Sequence, residues 1–302
     1  MATTDFWNGT GNWTTNGADW SDGTPPVPTE AAEIQTGTDA LTATSTITAL
    51  QIDAPATLQL NTGAVLTDTG LAAIAGALFL QNGGSVSTTG GLSVTGNGFT
   101  ELDGPTIGGN GGSRLTIGGT LTDSSTNGNA FDIGNTGIVT GDTVTAIALN
   151  NTGAIYIGGS GTVQSTLNIT SGPAGFGTIG VETESVYLQN DALLEFASGQ
   201  IGTIDGQVSL NGANARIADA GTLATNSALT GLNTIAGQFV LYNGASVSTA
   251  GGLSLTGNAV VEIDGPNFGG NGGSRLTIGG TLTNSSTNGN AFDIGNTGIV
   301  TG

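Results

Sequence analysis

Residues 69–141 return as residues 230–302 at a constant offset of 161, without a gap. Of the 73 aligned pairs 57 are identical, and from Gly108 to Gly141 a single pair differs, Asp123 against Asn284. Near-identity of this kind reads as recent duplication, and a long internal repeat is the sequence signature of architectures extended by adding units. The differing pairs that stay apolar (Leu102/Ile263, Ile107/Phe268, Val94/Leu255 and Phe79/Val240) predict inward positions. Ala72 and Ala73, which become Asn233 and Thr234, predict outward or loop positions. Residues 142–229 have no second copy, and the natural chain is expected to continue past Gly302 with a segment resembling Asp142-Thr143-Val144-Thr145.

Inside this unit, short apolar-x-apolar strands recur at Leu78/Leu80, Leu92/Val94, Leu115/Ile117, Phe131/Ile133, Ile147/Leu149, Leu167/Ile169, Val186/Leu188 and Val208/Leu210, then again at Phe239/Leu241. Read as one series, they give a period of about 20 residues. Asn-Thr-Gly and Asn-Gly corners lie between them, at 61–63 and 82–83 for example, where residues that accept a left-handed backbone are needed. Gly and Thr supply 55 and 49 of the 302 residues, and aromatic residues only 5%. Such a pattern predicts an all-β, parallel β-solenoid (β-helix) with a thin apolar core and Thr, Ser and Asn outside. Parallel crossovers are nearly always right-handed, so a right-handed coil is expected. An antiparallel sandwich or barrel is the competing fold, but it offers no reason for the long internal repeat. Residues 38–302 would make about 13 coils, a rod on the order of 60 Å long.

Residues 1–37 differ from the rest. They hold all three tryptophans, Trp7, Trp13 and Trp20, and the run Thr24-Pro25-Pro26-Val27-Pro28. A solenoid leaves an open strand edge at its end. This segment is therefore expected to lie over the first coil as a cap, the alternative being an aromatic platform for sugar rings.

Composition closes off much chemistry. Lys, His and Cys are absent, the only basic residues are Arg114, Arg216 and Arg275, and net charge is −19. Ser-His-Asp triads, thiol nucleophiles, Schiff-base lysines and Cys/His zinc sites are excluded. Nucleic acid is not an expected partner, since phosphate binding needs Lys and Arg. Leu71–Leu80, the longest apolar stretch, cannot span a bilayer, so no membrane insertion is expected in this segment.

Glu101-x-Asp103, its copy Glu262-x-Asp264, and Glu182-x-Glu184 place paired acids on one side of a strand. The expectation is a solvated charged face; a loose calcium site and an acid/base pair acting on a polysaccharide are the sharper readings. No catalytic residue and no cofactor is assigned. Gly108-Gly109-Asn110-Gly111-Gly112-Ser113 falls short of the calcium-binding nonapeptide because Ser113 stands where the Asp ligand belongs. Gly175-Phe176-Gly177-Thr178-Ile179-Gly180 matches Gly-x-Gly-x-x-Gly, which chance explains in a chain this rich in glycine. Thr-x-Thr pairs such as Thr42/Thr44, Thr46/Thr48, Thr67/Thr69 and Thr143/Thr145 look scattered, against a regular ice-binding ladder.

The opening Asp5-Phe6-Trp7-Asn8-Gly9-Thr10-Gly11-Asn12-Trp13, followed by Asp19-Trp20-Ser21-Asp22-Gly23-Thr24-Pro25-Pro26, resembles the start of large repetitive bacterial β-solenoid surface and secreted proteins. These include autotransporter-like passengers and type I-secreted adhesins. The resemblance implies a non-catalytic structural or adhesive rod, extracellular or at the cell surface. Its partners would be a surface glycan or other cell-surface ligand, with end-to-end self-association. The alternatives are a carbohydrate-active β-helix enzyme and an ice-binding or calcium-responsive module.

Overall fold

The computed structural model describes residues 3–128, 130–172, 181–182 and 184–295. Every strand pairing in it is parallel except one isolated bridge between Trp7 and Trp20. One sheet of 12 strands runs the length of the molecule, from Gly11–Asn12 through Ala77–Leu80, Phe99–Leu102 and Ala154–Gly158 to Phe292–Ile294. Two further faces complete each winding. Residues 77–96 show the pattern: Ala77–Leu80 on the long sheet, Ser85–Thr88 on the second face, Leu92–Gly96 on the third. The second and third faces merge at Arg114–Ser125, which runs on round the corner at Gly118-Gly119 and pairs with both preceding strands. With strands about 4.8 Å apart, 12 strands make a rod of about 53 Å.

Alternation sets the interior. On the long sheet one inward column reads Leu58, Leu78, Thr100, Phe131, Ile155, Val186, Val208, Phe239, Val261, Phe292. A second column, from Leu41 to Ile294, is wholly Leu and Ile, and all but the exposed last member, Ile294, are buried. Together they build one continuous core.

Coils are longer than the spacing of apolar-x-apolar pairs suggests. Leu78 and Phe239 are equivalent positions of the two copies. Between them the inward column steps through Thr100, Phe131, Ile155, Val186 and Val208, one residue per coil. The repeat is therefore six coils of about 27 residues. The shorter spacing arises because apolar-x-apolar pairs occur on more than one face: Leu78/Leu80 and Leu92/Val94 belong to a single winding. Phe131 and Phe292 occupy equivalent positions, paired with Thr100 and Val261.

The pairs that stay apolar between copies divide. Leu102/Ile263 and Val94/Leu255 are buried and point inward. Phe79 points outward instead, half-buried against Phe99 with ring centroids 5.7 Å apart. Ile107 and Phe268 sit on a loop, Phe268 being 41% exposed. Ala72 is buried although its counterpart Asn233 is exposed.

The described part of residues 1–37 winds the first coil and also covers its open edge, where Ser21 donates its N–H to the Phe6 carbonyl (2.9 Å) and Trp20 bridges Trp7. Thr4–Asn8 pairs with Ala31–Thr36, and Gly11–Asn12 with Thr38–Leu41. Trp7, Trp13 and Trp20 fill its interior, Trp20 meeting the other two edge-on at 5.2 and 4.9 Å. Trp7 and Trp20 donate their indole N–H to the carbonyls of Gly9 and Trp13.

Candidate functional site: covered carboxylates and a tyrosine groove

The paired acids do not form a solvated face. Glu101, Asp103, Glu262 and Asp264 are all buried, at 0–3% exposure. The cause is a loop absent from a minimal coil. After Phe99–Leu102 the chain turns outward through Asp103 (φ 44°) and folds residues 104–113 back over the strand. Glu101 Oε1 accepts the N–H groups of Thr106 (2.7 Å) and Ile107 (3.0 Å). Asp103 accepts Asn82 N–H (2.8 Å) and the Ser113 hydroxyl. The copy repeats the bracket: Glu262 holds the N–H groups of Asn267 (2.8 Å) and Phe268 (2.9 Å), and Asp264 those of Asn243 and Ser274 (2.9 Å each). These acids pin loops. Among the described residues no group of three or more acids is placed to hold a metal ion.

A second carboxylate joins each. Glu101 stands beside Asp132 on the next coil, and Glu262 beside Asp293. Asp132 is buried with neither oxygen hydrogen-bonded, and burial, with Glu101 adding repulsion, pushes its pKa to about 8. Asp142, beneath the same loop, accepts Ser113 N–H at 2.8 Å. Burial and its neighbour Asp103 push it to about 8 as well. Asp39 is inside the core itself, in register with Leu58, and burial raises it to about 8. Carboxyls in this state are neutral at pH 7.

Beyond Asp132 the same outward column continues with Tyr156, Tyr187, Ser209 and Val240. The adjoining column runs Gln189, Asn211, Tyr242. Tyr156, Tyr187 and Tyr242, with Leu188 and Gln189, line a groove of about 250 Å³. The Tyr156 hydroxyl is bonded to Gln189 Oε1, and Tyr187 donates to Gln207 Oε1 at 3.0 Å. Burial pushes the Tyr156 hydroxyl up to about 12, so it stays a donor.

The remaining sequence motifs fall elsewhere. Thr46, Thr67, Ser87, Thr116 and Thr145 are not scattered but form one column across five successive coils, which linear inspection misses because the loops between them vary in length. The neighbouring column is broken by Val65 and Arg114. The tryptophans, at most 2% exposed, offer no platform to a sugar. The Gly-x-Gly-x-x-Gly stretch and the Glu182 side chain lie outside the described residues. No helix among the described residues is long and apolar enough to cross a membrane.

No family model, curated protein or solved structure matches this chain.

Proposed function

We propose that this chain is a structural and adhesive rod of a bacterial surface or matrix protein, exported from the cell and non-catalytic. The observation that carries the reading is the long sheet: 12 strands in unbroken succession over one core. Such a body is a stiff spacer, lengthened by duplication without new interfaces. The resemblance of residues 5–26 to solenoid surface proteins supports the export. Burial of Glu101, Asp103, Glu262 and Asp264 under their loops weighs against the polysaccharide-cleaving alternative, whose acids must reach substrate.

The test is surface labelling of intact source cells with antibody to this chain, beside electron microscopy of the purified protein. Surface label and rods are expected. Label only after lysis, or release of reducing ends from a polysaccharide panel, would overturn the reading.

The hydroxyl column from Thr46 to Thr145 favours a second reading, an ice-ordering face. Thermal hysteresis at millimolar protein is its measure.

A further inference from the structure

The three tyrosines of this chain, far apart in sequence, come together on one face of the rod. Tyr156 and Tyr187 lie between the two aligned copies, and Tyr242 stands where the first copy has Gln81. They are the only tyrosines in the sequence, and four successive strands of the long sheet bring them together. Tyr156 and Tyr187 are direct register neighbours, and the small Ser209 follows them, leaving room before Tyr242. All three rings are half-buried, so each is fixed by packing yet presents surface.

We propose that this groove binds a neutral or amino-bearing saccharide, with sugar rings laid on the tyrosines and sugar hydroxyls met by the amides of Gln189 and Gln207. A pyranose has an apolar C–H face and a polar edge, and an aromatic groove rimmed by oriented amides answers both. Each glutamine has its oxygen engaged by a tyrosine hydroxyl, which leaves its NH₂ as the donor side. A net charge of −19 repels uronic acids and other anionic sugars. The inference rests on the adhesive half of the reading above and supplies its ligand; the spacer stands without it.

The experiment is saturation-transfer NMR and calorimetric titration of the full chain with chito-, cello- and manno-oligosaccharides, with oligogalacturonate and choline as controls. At least one neutral series binds and oligogalacturonate does not. Tyr187→Ala and Tyr242→Gln each weaken binding about tenfold or more, while Tyr187→Trp retains it. Tyr242→Gln installs the residue the other copy already carries, so its fold is secure, and thermal melts check each variant. No transfer to any neutral oligomer, unchanged binding in both weakening variants, or preference for choline would overturn the proposal. Rods seen by microscopy alongside absent binding would remove the ligand and leave the spacer; loss of rods would remove the spacer itself.

Discussion

Glu101 and Asp132 stand side by side on adjacent coils, both wholly buried, and only Glu101 has hydrogen-bond donors. An acid placed as Asp132 is holds its proton to far higher pH than it does in the unfolded chain.

The consequence is an inverted pH dependence. Asp132, Asp142 and Asp39 rise from 3.8 to about 8, pressed by burial and then by Glu101, Asp103 and Asp19 respectively. Between those values the folded state binds more protons than the unfolded one, so stability falls as pH rises. Each pKa unit corresponds to ~1.4 kcal/mol. Thermal melts at pH 4.5, 6 and 8 should show Tm dropping steadily; a flat or rising profile would refute the protonated assignment.

Asp39 offers a sharper version. It occupies a position that is Leu58 and Leu78 in the next two coils, with no hydrogen bond to either side-chain oxygen. Asp39→Leu should stabilise the protein at pH 8 by ~1–3 kcal/mol, as replacement of uncompensated buried charge does. It should also flatten the melting profile. Urea titration at pH 5 and pH 8 measures both effects.

Asn226 joins two strands that do not pair. It accepts Ile217 N–H (2.7 Å) and donates to the Ser246 carbonyl (2.8 Å), spanning the gap between Arg216–Asp219 and Ser246–Thr249 where residues 220–233 are inserted. Asn226→Ala leaves both backbone groups unsatisfied and should cost about 2–4 kcal/mol. Hydrogen exchange at the Ile217 amide should accelerate in step; an unchanged amide would mean water replaces the side chain at no loss.

Two glycines of one loop should respond differently to alanine. Both have positive φ, Gly108 at 63° and Gly111 at 84°. A Cβ at Gly108 meets open space, whereas at Gly111 it would fall 1.7 Å from the Thr140 carbonyl oxygen. Gly108→Ala should therefore cost about 1 kcal/mol of backbone strain, and Gly111→Ala considerably more. Equal Tm shifts would count against the loop as described.

The parallel solenoid and much of its core were legible because alternation and the repeat fix which residues face inward. Leu78, Leu80, Phe131 and Ile133 are where the sequence pattern puts them. Coil length was not legible, since one winding carries strands on three faces with similar signatures. Nor was the burial of Glu101 and Asp103, which depends on residues 104–113 folding back. The groove left one faint trace. Tyr156 and Tyr187 are separated by one long coil, as Thr100 and Phe131 are, but that spacing acquires meaning only from the pairings.

Because the repeat closes after six whole windings, recombination between the two copies is phase-neutral. Deleting or inserting one such cassette would change the molecule's reach by about 29 Å while returning each segment to the side it left. Descendants of this gene could differ in span and in the number of loop brackets they carry, yet share a single lateral geometry.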